Sequence, residues 1–169
     1  MEEMSEKDTS HDFSDETVNG YQESILEIAK AIHQDYNDNR LREKPGVPLE
    51  YPDWDTLPDD LKHSNIDQAM SYPEKLKAIG CHMGTEGIAV REFTAEELEI
   101  MSIMEHDRWV KDRAASGWVF GEIKDVQKRT SPYMVPWERL EEDIREYDRE
   151  AVRNMIAVLD RIGIKVIRD

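Results

Sequence analysis

Disulfides, membrane-spanning runs and a secretion signal are all missing from the sequence. Its single cysteine, Cys81, has no partner within the chain, so nothing indicates an oxidising compartment. No apolar run reaches the length of about 18 residues that a membrane-spanning helix needs. The N-terminal residues lack the basic and apolar regions of a signal peptide. These absences predict a cytoplasmic protein that does not enter a membrane.

Basic residues are scarce, with 22 Lys and Arg against 38 Asp and Glu and a formal net charge of −16. Non-specific nucleic-acid binding and binding to anionic membranes both need clustered cations, so the net charge disfavours both. The simplest interpretation of the acidity is solubility. Hydrophobic residues still make up 38% of the 169 residues, enough for one domain or two small halves that share a core.

Apolar periodicity starts only after a polar beginning. Residues 1–20 are acidic and carry no periodic apolar pattern, which predicts a flexible tail. From Tyr21 apolar residues recur every three or four positions and predict a helix. Further helices are predicted over 58–70 and over 73–80, and residues 88–90 indicate a short strand.

The second half opens with a strong helix signal. Thr94 followed by Glu97 is the pattern of a capping box, in which each side chain bonds the backbone amide of the other residue. The apolar positions that follow predict a helix ending where a loop over 117–136 begins. More helix is predicted over 137–163, and the alternation of residues 164–167 predicts a strand. The fold class is therefore mainly α with short β-strands (α+β).

Two parts of the chain match one another at a single offset. The matching pairs are Trp54 with Trp137, Leu57 with Leu140, Leu61 with Ile144, Asn65 with Asp148, Ala69 with Val152, Leu76 with Leu159 and Gly80 with Gly163. Upstream, His33 and Tyr36 match His106 and Trp109 at a different offset. This pattern predicts two diverged, pseudo-symmetric helical repeats that pack as a pair.

The second copy resembles the ryanodine-receptor repeat, or RyR domain. The resemblance rests on EHDRW at 105–109, GWVFG at 117–121 and PYMVPW at 132–137, and it spans about residues 98–167. The first copy has no Gly-Trp-x-x-Gly turn. The resemblance implies a microbial-type member with two tandem repeats, the first with its linker over 21–93 and the second over 94–169.

The same resemblance implies a function in binding. In calcium channels these repeats are peripheral cytosolic modules, and microbial members are suspected of sensing nucleotide-derived signals. It therefore implies a non-enzymatic binding or sensor module, with no cofactor. This expectation rests on family likeness, since a fold alone does not determine a function.

Cations are concentrated in one segment of this acidic chain. Between residues 108 and 129 only Asp112, Glu122 and Asp125 oppose a group of basic residues, namely Arg108, Lys111, Arg113, Lys124, Lys128 and Arg129. Aromatic residues lie among them. Cations bind phosphate and an indole stacks on a flat ring, so the combination suits a nucleotide-like ligand.

We predict a ligand site for a small anion in this segment. The predicted residues are Arg108, Lys111, Lys124 and Lys128 for charge, with Trp109 and Trp118 for stacking. Under the simpler alternative, the tryptophans belong to the core and the charges are solvated. A third interpretation is a scaffold for a protein partner whose basic surface complements the charge of −16.

An enzymatic interpretation is the weakest of the alternatives. His106-Asp107 is the dipeptide of metal-dependent phosphohydrolases, and Asp143 or Asp148 could complete a metal site. However, the matching position His33 lacks the acidic neighbour, which favours a structural histidine bonded to backbone or to a buried group. No phosphate-binding glycine motif is present.

Overall fold

The computed structural model describes the side chains of residues 23–169, and helix α1 spans Glu2–Glu43. The flexible tail predicted over residues 1–20 stays a prediction, because the side chains of those residues lie outside the described range. The elements after α1 are α2 (Asp59–Ala78), β1 (Cys81–Gly84), α3 (Ala95–Ala115), β2 (Val119–Phe120), β3 (Thr130–Ser131), α4 (Glu142–Arg153), α5 (Met155–Asp160) and β4 (Lys165–Arg168). Two short 3-10 turns, Trp54–Thr56 and Trp137–Arg139, precede α2 and α4. The predicted class, mainly α with short strands, is confirmed.

The start of α3 follows the predicted capping box. The Thr94 hydroxyl accepts a hydrogen bond from the amide of Glu97 at 3.1 Å, and the Glu97 carboxylate accepts one from the amide of Thr94 at 3.0 Å. The helix ends at Ala115, two residues before Gly117, whose φ of +90° suits glycine. Local sequence signals therefore fix both ends of α3.

The division of residues 58–80 into two helices was wrong. Pro73 lies inside a single helix, α2. Proline removes one backbone hydrogen bond, but the side chains beside it, Tyr72 and Leu76, are buried in the core. Burial on the continuing helix stabilises it enough to outweigh the lost bond.

The predicted strand at residues 88–90 was also wrong. The strand of this region is β1, which pairs with β4 in antiparallel register from Cys81 opposite Arg168 to Gly84 opposite Lys165. Residues 88–90 run beside β4 with only an isolated bridge between Ala89 and Ile167. Likewise, the loop predicted over 117–136 contains the short parallel pair of β2 and β3.

One hydrophobic core joins the helices and the β1–β4 pair. Ile28 and Ala29 of α1, Leu76 of α2, Met101 of α3 and Leu159 of α5 are all fully buried in it. Helix α1 packs on α2 and α5, and α3 packs on α2 and α4. Among the described residues we find no helix with the length and hydropathy of a membrane span.

Candidate functional site

Trp109, Arg113 and Trp118 form a cluster at the C-terminal end of α3. Arg113 is the fourth residue after Trp109, so both lie on one helix face. The guanidinium carbon of Arg113 lies 5.6 Å from the ring centroid of Trp109 and 5.6 Å from that of Trp118. The Trp118 amide donates to the Arg113 carbonyl at 3.0 Å, which holds the Trp118 backbone beside the end of the helix. We call these three residues the tryptophan–arginine cluster.

The charge of Arg113 has no carboxylate partner among residues 23–169. Aromatic rings attract a guanidinium through their quadrupole but do not neutralise it. Both tryptophans are half-buried. The cluster therefore offers a positioned cation with guanidinium donors between two flat apolar surfaces.

A buried histidine, His106, contacts the tryptophan–arginine cluster through Trp109. The His106 ring stacks on Trp109 with centroids 6.0 Å apart and planes 17° apart. Its Nε2 donates to the Val135 carbonyl at 2.6 Å, and its Nδ1 lies 3.5 Å from an oxygen of Asp148. Burial opposes the charged ring, but the bonds to Asp148 and to the Val135 carbonyl outweigh it and raise the pKa of His106. Both ring nitrogens therefore have a partner.

Next to His106 lies an ionic cluster that joins α2 to α3. Buried Lys75 contacts the Glu105 carboxylate at 2.5 Å, and Arg108 binds the same carboxylate with two nitrogens at 3.0 and 2.9 Å. Arg108 also binds Asp67 at 2.9 Å. Burial opposes ionisation of Glu105, but the two cations lower its pKa below the ordinary value. The Arg108 side chain is 11% exposed, and two carboxylates already balance its charge.

Helix α3, the tryptophan–arginine cluster and the segment through β4 fall within one recognised sequence family. The model of the RyR domain matches residues 83–168, half of the chain. The chain belongs to the RyR domain family. The match begins in the predicted linker and takes in nearly all of the predicted second repeat.

Within the RyR domain, the structure brings together two of the six predicted site residues, Trp109 and Trp118. It does so through Arg113, which the predicted site left out although its spacing from Trp109 was available in the sequence. Lys111, Lys124 and Lys128 are exposed, and no ion pair holds them in the described part of the chain. A role for these residues in ligand binding stays a prediction.

The two matching histidines make similar contacts. His33 Nε2 donates to the Tyr51 carbonyl at 3.0 Å, and its ring lies 6.5 Å from that of Trp54. His106 bonds a carbonyl in the same way, and its ring lies 6.2 Å from that of Trp137. The prediction that these histidines bond to backbone is confirmed. From residue 23 onward, no group of three or more His, Cys, Asp or Glu is placed to hold a metal ion.

A separate shallow cavity of about 390 Å³ lies beside the start of α3. Phe93, Leu98 and Ile156 contribute apolar side chains to it, and Arg91 and Arg153 lie at its rim with two acids. Arg153 already pairs with two glutamates of α4. None of the six predicted site residues lines this cavity.

Proposed function

We propose that this RyR domain protein is a non-enzymatic binding module for a small anionic ligand. The proposed site is the tryptophan–arginine cluster, with Lys111, Lys124 and Lys128 around it. One observation carries the proposal: Arg113 lies 5.6 Å from two indole rings and has no carboxylate partner among the described residues. Arg113 lacks such a partner although carboxylates are abundant in this chain of charge −16.

The geometry suits a ligand that combines a phosphate with a flat ring. A guanidinium binds two phosphate oxygens at once through parallel N–H bonds. Indole faces stack on a purine or pyrimidine and contribute area at low cost in conformational entropy. Nucleotides and their derivatives offer both features, and we propose them as the ligand class.

A ligand panel tests the proposal. Nucleoside mono- and diphosphates, inorganic phosphate and divalent cations are added separately to the full chain, and the melting temperature is measured. A ligand that binds only the folded state raises that temperature in proportion to the logarithm of its concentration. We expect a shift with nucleotides. A shift with divalent cations alone would favour the metal phosphohydrolase instead.

A matched pair of variants locates the site. Arg113→Gln removes the cation of the cluster, and Arg139→Gln removes an exposed arginine outside it. By calorimetry we expect the first variant to bind the best nucleotide about tenfold more weakly, the loss of one charge-assisted contact. The second should bind like the unchanged protein. Equal affinity in all three proteins would exclude the cluster as the site.

A second candidate function is a scaffold that binds a partner with a basic surface. The observation that favours it is a run of exposed acids without ion pairs in the described chain, namely Glu50, Asp53, Asp55, Asp59 and Asp60. Such a run attracts cationic surfaces over about a Debye length. The scaffold function leads if no member of the ligand panel shifts the melting temperature.

We also propose that the chain is a cytoplasmic, microbial-type member with two tandem, pseudo-symmetric repeats. Trp54 and Trp137 each begin a 3-10 turn before a helix, and Gly80 and Gly163 follow with φ of +74° and +78°. Superposition of residues 54–80 on 137–163 in an experimental structure tests the repeat. A free, buried Cys81 suits a reducing compartment, which cell fractionation can check.

A further inference from the structure

Arg129 has a backbone conformation that an arginine side chain disfavours. Its φ is +57°, and in the described part of the chain it is the one residue besides glycines with a positive φ. A Cβ atom is crowded in this left-handed region, so turns usually place glycine or asparagine there. Strained residues of this kind concentrate at ligand sites, where the side chain is needed.

The turn before β3 fixes the conformation of Arg129. The amide and carbonyl of Asp125 bond those of Thr130, each at 3.0 Å, and close the turn around residues 126–129. The Arg129 carbonyl accepts a hydrogen bond from the Val119 amide at 2.9 Å, which ties the turn to β2. Glycine would fit the same backbone without strain, so the backbone alone does not explain an arginine at this position.

The Arg129 guanidinium lies at the turn that ends α3. Its Nη1 donates to the Ser116 carbonyl at 2.5 Å. A Cβ atom at Gly117 would lie 3.2 Å from the same nitrogen, so the glycine leaves room for the guanidinium. A cation is favoured at a helix C-terminus, where backbone carbonyls lack helical partners. This capping bond occupies only one of the N–H donors of the guanidinium.

The remaining donors of Arg129 have no carboxylate partner. The side chain is exposed, and no ion pair holds it among residues 23–169. Glu122 and Asp125 of the preceding loop do not pair with it, and the Asp125 carboxylate instead accepts a bond from the Lys128 amide at 3.1 Å. The charge of Arg129 is therefore available to an anion.

Two unpaired guanidinium groups thus meet the turn over residues 116–118. Arg113 lies 5.6 Å from the Trp118 ring centroid, and Arg129 bonds the carbonyl of Ser116. We propose that Arg129 is a second phosphate-binding residue of the proposed ligand site, and that the two arginines make this site select a ligand with two linked phosphates. One guanidinium binds the oxygens of one phosphate, so two such groups suit a diphosphate.

This inference rests on the proposed function and deepens it, because it assigns a role to a residue outside the tryptophan–arginine cluster. A purely structural Arg129 would cap α3 and would not affect the choice between ligands. The preference for a diphosphate over a monophosphate therefore separates the two roles.

Calorimetry with AMP and ADP as probes, without divalent cations, tests the inference on the full chain. The variants are Arg129→Gly and Arg113→Gln, with Arg139→Gln as a control outside the site. Glycine removes the guanidinium but also the backbone strain, which offsets the lost capping bond, so the melting temperature should stay close to that of the parent. Arg129→Asn is a second variant, since asparagine also tolerates this conformation.

We expect the parent and the Arg139 control to bind ADP about tenfold more tightly than AMP, the gain from one charge-assisted contact. Both Arg129 variants should lose this preference, and Arg113→Gln should weaken both probes. Arg129 variants that keep the preference while Arg113→Gln weakens binding would overturn this inference and leave the proposed function in place. So would equal affinity of the parent for AMP and ADP. A parent that binds neither probe would overturn the proposed function and this inference with it.

Discussion

The buried carboxylate of Glu105 holds two cations, and its removal should be costly. Glu105→Ala leaves Lys75 buried without its partner, and breaking a buried pair in this way costs about 3–5 kcal/mol. Glu99→Ala is the control, since Glu99 is a more exposed partner of Arg149 and such pairs contribute about 1 kcal/mol or less. Urea titration measures both free energies of unfolding. Equal losses in the two variants would show that the ionic cluster does not stabilise the fold.

The pH dependence of stability should report on His106. Its pKa is raised in the folded state, so its contribution is present below the unfolded value of about 6.5 and is lost as the pH rises through the folded value. Burial raises the pKa of Asp148, whose effect falls in a lower, acidic window. We expect the free energy of unfolding to fall as the pH rises above about 6.5. His106→Gln should flatten that slope, and an unchanged slope would assign it to another group.

At the scale of single residues, the sequence predicted the backbone bonds of the histidines but not the residues that the arginines contact. The sequence match between His33 and His106 predicted that both histidines bond to backbone, and both do. It could not show that Arg108 is paired, since Asp67 lies far away along the chain and meets it only when α2 packs on α3. The contact of Arg113 with Trp118 was equally hidden, because it depends on the turn at Gly117.

Helix packing around α4 and α5 should respond strongly to loss of core side chains. Trp137 and Leu159 are 5% and 0% exposed, so Trp137→Ala and Leu159→Ala should each cost about 2–5 kcal/mol of unfolding free energy. Trp54 matches Trp137 in the sequence comparison but is only partly buried, so Trp54→Ala should cost less. Denaturant titration of all three variants checks this order. Losses below about 1 kcal/mol for the two buried residues would contradict the packing.

Element boundaries were predicted well where local chemistry fixes them. The capping box at Thr94 fixes the start of α3, and apolar periodicity located the helices of both halves. The strands were predicted less well, because β1 forms only by pairing with β4 at the other end of the chain. Helix α2 passes through Pro73 because of burial in the tertiary fold, which a local pattern does not contain.

At the scale of the whole molecule, a charge of −16 opposes the approach of any anion. The proposed ligand must therefore be held by local cations that overcome this repulsion. The lysines around the tryptophan–arginine cluster are exposed, whereas Arg108 is bound by Glu105 and Asp67. Substitution of the exposed lysines therefore tests ligand binding, and substitution of the paired Arg108 tests stability.

Charge reversal at Lys111 and Lys128 should abolish nucleotide binding and leave the melting temperature nearly unchanged, since exposed charges contribute little to stability. Arg108→Glu should instead lower the melting temperature strongly, because it places a third carboxylate beside Glu105 and Asp67. Calorimetry measures the affinity of the lysine variant, and thermal unfolding compares both proteins. Full affinity after reversal of both lysines would remove them from the proposed site, and a stable Arg108→Glu protein would contradict the ionic cluster.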